Sequence, residues 1–114
     1  YERVKCLNEF CLFYERLDRY DKKKLNAIGE YEAINIYDLE ELEEDLERYY
    51  FLEDIKTDEE LGEYLLDEII VEVIKDIKIF GVDLYYYIDK RKIGQDYRYN
   101  TSGDFISNGW VESI

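Results

Sequence analysis

The chain is 114 residues long, enough for one domain or two very small ones, and its 46% hydrophobic and 17% aromatic content can bury a modest core. A net charge of −14 would suit a disordered acidic tail, but 13 Tyr, 5 Phe and 1 Trp spaced among Leu, Ile and Val exclude that class. With no histidine, Ser-His-Asp, Cys-His and HExxH chemistry is excluded too, and no apolar run reaches the ~18 residues of a membrane-spanning helix.

Residues 3–17, RVKCLNEFCLFYERL, place Val4, Leu7, Cys11, Tyr14 and Leu17 at helical spacing, with Phe10 and Phe13 widening the stripe, which predicts a core-facing helix. Cys6 and Cys11 are five apart, neither a redox pair nor a zinc pair, and read as reduced thiols at the core or its boundary in a cytoplasmic protein. The polar run 18–24 predicts a turn, and 25–33 a second, shorter helix weakened by Gly29. Residues 38–50, DLEELEEDLERYY, form a third helix with Leu39, Leu42 and Leu46 on one face and acids on the others.

Residues 49–55, YYFLEDI, predict a first strand that turns at Lys56 and Thr57. Thr57 and Glu60 make a capping box ahead of a fourth helix, DEELGEYLLDEI, striped by Leu61, Leu65 and Ile69. Residues 69–80 have the β-branched content of a strand at the length of a helix, and strand is expected for part of them. Gly81 breaks the chain, and from Val82 a helix is expected to end near Gly94 or a few residues beyond. Asn108-Gly109 between two strand-forming runs predicts a closing hairpin with a type I′ turn.

This order predicts an α+β chain: an acidic helical lobe over residues 1–48, then a small α/β lobe over 49–114 whose short antiparallel sheet is closed by the C-terminal hairpin. The chain opens at Tyr1 and holds no Met, and is expected to be a piece whose N-terminal part precedes it.

The glycines are scattered, so no phosphate-cradling loop is present. Glu40/Glu44 and Glu43/Glu47 lie at i,i+4, but on the solvent side of the leucine stripe and outside any EF-hand pattern. Asp67 with Asp76-Ile77-Lys78 has the form of a metal-dependent nuclease centre, a match that a highly charged chain makes easily by chance. The reading is of a protein that is not an enzyme and uses no cofactor or metal.

The charge itself is the strongest signal. Glu30, Glu32, Asp38, Glu40, Glu41, Glu43, Glu44, Asp45, Glu47, Glu53, Asp54, Asp58, Glu59, Glu60, Glu63, Asp67, Glu68 and Glu72 face only Arg48 and Lys56, so residues 30–72 carry −16 and the remainder +2. A soluble surface mixes signs. Here like charges at i,i+4 each cost a helix ~0.2–0.5 kcal/mol, so something beyond solubility maintains the excess. Helix neighbours have Cβ atoms ~5–6 Å apart, close to the spacing of successive phosphates along a DNA strand. Folded acidic helices thus offer a basic DNA-binding groove a row of anions. The alternative is an acidic adaptor for another basic protein, which the resemblance described next would place on the same mobile element.

The chain resembles the ArdA antirestriction proteins of conjugative transposons and plasmids. The likeness rests on LNEFCLFYERLDRYDKKKLNAI followed by IYDLEELEED, on FLEDIKTDEELGEYLLDEI, and on YIDKRKIGQDYRYNTSGDFISNGWVESI. In the last of these, Ile88-Asp89, Gly94-Gln95-Asp96, Ser102-Gly103 and Phe105-Ile106 occupy the places of the family's motif. Gln95 stands where the family usually has Arg, and the segment 97–101 is longer. The resemblance covers the family's middle and C-terminal domains. It implies a DNA mimic that occupies the DNA-binding groove of type I restriction-modification enzymes, meeting their specificity and methyltransferase subunits without binding nucleic acid or membrane. It also implies a homodimer joined through the C-terminal domain, to which Phe105, Ile106, Trp110 and Val111 could contribute if they are not simply core.

Overall fold

The computed structural model describes residues 2–114. The Cys6 thiol expected at the core boundary lies outside the described part. In chain order the elements are α1 (Glu2–Arg16), α2 (Arg19–Tyr31), α3 (Leu39–Arg48), β1 (Tyr49–Glu53), α4 (Asp58–Leu65), a π turn (Leu66–Ile70) and α5 (Val71–Ile74). Then come β2 (Lys78–Ile79), β3 (Val82–Asp83), a 3₁₀ turn (Leu84–Tyr87), α6 (Lys90–Asn100), β4 (Asp104–Ile106) and β5 (Gly109–Ser113). The chain is α+β, as its patterning predicts, and the C-terminal hairpin completes the sheet.

That sheet is antiparallel, ordered β1-β5-β4, with Phe51 opposite Val111, Leu52 opposite Trp110 and Phe105 opposite Trp110. Alternate residues point to opposite faces, and each face is covered. On one side Tyr49, Phe51 and Val111 pack with Ala27 and Ile28 of α2, joined by Leu46 of α3 and by Ile106. On the other, Trp110 packs with Leu61 and Leu65 of α4, flanked by Leu52, Phe105, and Ile93 and Tyr97 of α6. The first core draws on both sides of the 48/49 division read from sequence.

The second layer depends on two glycines. A Cβ on Gly62 would lie 1.6 Å from the Lys90 carbonyl oxygen, and one on Gly94 would lie 1.8 Å from the Asp58 carbonyl oxygen. Helices α4 and α6 therefore meet backbone to backbone, which no larger residue allows. The molecule extends 71 × 23 × 19 Å, with a Cα radius of gyration of 18.5 Å, where a compact domain of this length has about 13 Å.

Several local expectations shift, each for a physical reason. The polar run 18–24 is helix, because Asp18 caps α2 by accepting from the Asp21 amide at 2.7 Å. Helix α1 forms, but none of its described side chains is buried, and Val4, Leu7 and Leu12 are exposed along with Cys11. Ile69 leaves the stripe of Leu61 and Leu65: the extra residue of the π turn rotates the helix, so Leu66 is buried and Ile69 faces solvent. Strand structure within 69–80 is confined to β2. The helix expected from Val82 starts only at Lys90, where Asp89 accepts from the Lys92 amide at 3.1 Å, and it runs past Gly94. The hairpin pairs Ile106 with Gly109, so its turn residues are Ser107 and Asn108. Gly109 is needed instead for the approach of β1, since a Cβ there would lie 2.1 Å from the Leu52 carbonyl oxygen.

Gly94→Ala is expected to cost about 3 kcal/mol or more, because one methyl group must push two backbones apart. Urea denaturation checks this, and a loss below about 1 kcal/mol would mean that α4 and α6 can part without penalty.

Candidate functional site

Helix α3 displays its acids because its leucines are anchored. Asp38 caps the helix through the Glu41 amide at 3.1 Å, Leu42 is fully buried, and Leu39 and Leu46 are half-buried. Glu40, Glu43, Glu44 and Glu47 are thereby turned to solvent. Thr57 caps α4 by accepting from the Glu60 amide at 3.1 Å and donating its hydroxyl to the Glu60 carboxylate, and Glu59, Glu63, Asp67, Glu68 and Glu72 follow on the exposed side of the helical run.

Of the eighteen acids between Glu30 and Glu72, fourteen are exposed, Glu41, Glu53 and Asp58 are half-buried, and Asp45 is buried. Six are held by bases: Glu44 and Asp45 by Arg48 at 2.8 and 3.6 Å, Glu53 by Lys23, Asp58 by Arg98 at 2.8 Å, Glu63 by Lys90 at 3.9 Å and Glu72 by Lys75 at 3.4 Å. Four more accept hydroxyl hydrogen bonds, Glu30 from Ser107, Glu32 from Tyr49, Glu60 from Thr57 and Asp67 from Tyr85. Among the described residues, Glu40, Glu43, Glu47, Asp54, Glu59 and Glu68 are exposed and have no ion pair or side-chain hydrogen bond. Their charge is fully presented to solvent.

Burial pushes the Asp45 carboxyl above the usual range against the pull of Arg48, so this acid belongs to the interior side of α3 and adds least to the outer field. The Tyr49 hydroxyl is pushed up to about 12, first by burial and then by its hydrogen bond to Glu32. The Tyr97 hydroxyl is raised likewise, by burial and by donation to Glu112, whose two oxygens lie 2.6 and 2.8 Å away. These tyrosines were not singled out as functional residues in the sequence. Their signal was numerical, thirteen tyrosines in a chain crowded with carboxylates.

The motif-like residues near the C-terminus serve the scaffold. Asp89 caps α6 and Gly94 sits against α4, while Gln95 is half-buried and Asp96 is paired with Lys92 at 3.0 Å. The carbonyl of Ser102 accepts from Tyr31, its hydroxyl meets that of Ser113 at 2.9 Å, and a Cβ on Gly103 would strike the Trp110 ring. Residues 97–100 form the last turn of α6 and supply Arg98, which grips both oxygens of Asp58 at 2.8 and 3.2 Å. Trp110 and Val111 are fully buried within the monomer, which removes them from any contact between copies, and Phe105 and Ile106 are half-buried.

Asp67, considered for nuclease chemistry with Asp76 and Lys78, accepts from Tyr85 at 2.8 Å, and no group of three or more His, Cys, Asp or Glu gathers among the described residues. No described helix is long and apolar enough to cross a membrane. An apolar groove lined by Leu65, Ile69, Ile70, Ile93 and Tyr97 opens beside the π turn.

The sequence model of the family described as antirestriction protein (ArdA) matches residues 1–112. No curated protein matches the chain.

The tyrosine geometry sets a pH dependence. Tyr49 keeps its proton more tightly in the folded chain, so its contribution persists up to its ordinary value of 10.0 and is lost as pH rises toward about 12. The stability difference between the wild type and Tyr49→Phe is expected to shrink across that window by up to about 3 kcal/mol. Urea midpoints measured at stepped alkaline pH check it, and a constant difference would contradict the assignment.

Proposed function

The chain belongs to the ArdA family of antirestriction proteins, and from that premise we propose that it inhibits type I restriction-modification enzymes as a DNA mimic. In this reading its acidic surface occupies the DNA groove formed by their specificity and methyltransferase subunits. The observation that carries the reading is the set of six exposed, unpartnered acids, Glu40, Glu43, Glu47, Asp54, Glu59 and Glu68. Three of them stand on one helix at i, i+3 and i+7, where neighbours are ~5–6 Å apart, a row of anions at a spacing close to that of phosphates.

A groove that binds DNA is lined with Lys and Arg placed to meet phosphates. An acidic surface approaching it is steered by the opposite field and releases the counterions held on both sides. The ligand does no chemistry, so inhibition is competitive with DNA and weakens with salt. The reading takes the active form to be a homodimer and the chain to divide functionally near residue 48, with the acids on both sides of that division acting together.

Exposed charge pairs contribute roughly 0.5–1 kcal/mol each. Neutralising the six unpartnered acids together, Glu to Gln and Asp54 to Asn, is therefore expected to weaken inhibition by about 10²–10⁴-fold with the fold intact. Glu44→Gln, which removes an acid already paired with Arg48, is expected to change it less than about fivefold. The measurement is competition with DNA for a type I methyltransferase over a salt series. Equal inhibition by the six-fold variant, or displacement insensitive to salt, would refute the reading.

A further inference from the structure

The apolar groove beside the π turn has a volume of about 460 Å³ and runs between α4 with the π turn on one side and α6 on the other, with Asp96 and Asn100 as its polar lining. Its inner wall is fixed. Leu65, Ile70, Ile93 and Tyr97 belong to the core around Trp110, and the Tyr97 hydroxyl is tied to Glu112 at 2.6 Å. Its outer wall is uncovered: Ile69 is 58% exposed, and the apolar row continues along the helical run to Val73, which is 78% exposed. β-branched residues lower helix propensity, and these two bury little within the chain in return. A preformed apolar cleft with few polar groups, beside a π turn, has the character of a binding site.

We propose that this groove receives a basic amphipathic helix of the partner protein, with the helix's apolar face against Ile69 and Val73 and its Lys or Arg side chains against the acids alongside. The proposal rests on the reading above that the partner is a basic DNA-binding protein, and adds to it a contact that is not electrostatic. Its test uses a peptide and no restriction enzyme, so the two can fail separately.

Shape selects a helix. Every residue that lines the groove lies on a helical segment, so an extended peptide finds no sheet edge there to pair with. Leu65, Ile69 and Val73 follow one another at four-residue steps, a row about 12 Å long. An amphipathic helix presents its anchors at i, i+3 or i+4, and i+7, over about 10 Å, which matches that row. The walls are also held in place, since Gly62 and Gly94 lock α4 to α6 backbone to backbone. The groove therefore needs little reordering before it is filled.

Charge selects the sign. Residues 65–74 hold three acids, Asp67, Glu68 and Glu72, and no base, and Asp96 stands on the facing helix. Glu68 has no partner among the described residues. Glu72 and Asp96 are paired only with Lys75 and Lys92 on their own helical segments, at 3.4 and 3.0 Å, in exposed pairs that contribute little and exchange readily. An apolar floor flanked by these carboxylates complements a cationic helix. It does not complement a second copy pressed against it, since a two-fold contact would bring the same carboxylates together. Against a row of anions alone a basic helix can slide, and an apolar anchor seated in the groove fixes its register.

Fluorescence anisotropy tests the proposal with a labelled peptide about 14 residues long, Leu at helical spacing and Lys elsewhere. The chain is expected to bind it at least about tenfold more tightly than a control peptide with the same lysines and Ser in place of each Leu. Ile69→Gln, which keeps the charge and a good helix former, is expected to weaken the Leu peptide at least about tenfold and to leave the Ser control unchanged. Val73→Gln does the same should Ile69→Gln fail to fold by circular dichroism. Tyr50→Ser, at an exposed aromatic on β1, is expected to leave both peptides unchanged. The proposal is overturned if the two peptides bind alike, if neither groove variant weakens the Leu peptide, or if Tyr50→Ser weakens it equally. It is overturned as well if Ile69→Gln dissociates a dimeric wild type in sedimentation velocity, which would assign the groove to a second copy.

Discussion

The structure depends on one strand buried on both faces. β5 lies between β1 and β4, and its successive residues Trp110 and Val111 point in opposite directions into two separate cores. Val111 holds the layer of α2 and α3, and Trp110 holds the layer of α4 and α6. The acidic helices α3 and α4 are thus fixed to opposite sides of the same thin sheet, and their relative placement is set by strand register. Gly109 lets β1 approach, and Gly103 leaves room for the Trp110 ring. Both glycines protect the alignment of acids that lie elsewhere in the chain.

A protein that must hold many carboxylates in place has two kinds of donor available. Lys and Arg fix an acid but cancel its charge, whereas a tyrosine hydroxyl fixes it and leaves the charge in place. The chain uses both. Cations hold acids at junctions between elements, where position matters most: Lys23 to Glu53, Lys90 to Glu63 and Arg98 to Asp58. Tyrosines hold Glu32, Asp67 and Glu112, and burial together with that hydrogen bond keeps Tyr49 and Tyr97 protonated far above neutral pH. The abundance of tyrosine in so acidic a chain then has a physical reason beyond core filling.

Much of the architecture was legible in the sequence because local signals agreed with the tertiary result. The leucines of α3 and the Thr57 cap each carried a local rule that packing did not override. The closing hairpin, by contrast, formed with its turn one residue earlier than Asn108-Gly109, because Gly109 is taken up by the approach of β1. The parts that were not legible depended on partners distant in sequence. Gly94 looked like a helix end because its role, backbone contact with α4 near Gly62, involves a residue far along the chain. Ile69 followed the helical period until the π turn broke it, and the β-branched run after it did not announce that break. The acidic block was legible as composition, but which acids keep their charge exposed was not. Asp45 sits at the centre of the block and is buried, and Glu44 beside it is paired with Arg48.

The energetics of α3 separate a folded acidic surface from an acidic tail. The helix carries about half a dozen like-charge pairs at i,i+3 and i,i+4, which together cost ~1–3 kcal/mol, and a ten-residue helix is marginal in water even without that penalty. It persists because Leu42 is fully buried and Leu46 packs against the core of α2 and the sheet, a fully buried leucine contributing ~1.5–3 kcal/mol. Tertiary packing supplies what local propensity lacks, and in doing so it fixes the carboxylates at regular intervals. A disordered segment of the same composition would carry an equal charge but would lose conformational entropy in lining it up along a groove. Here the sheet supplies that order in advance, so the cost of aligning the acids is met in folding rather than at the moment of contact.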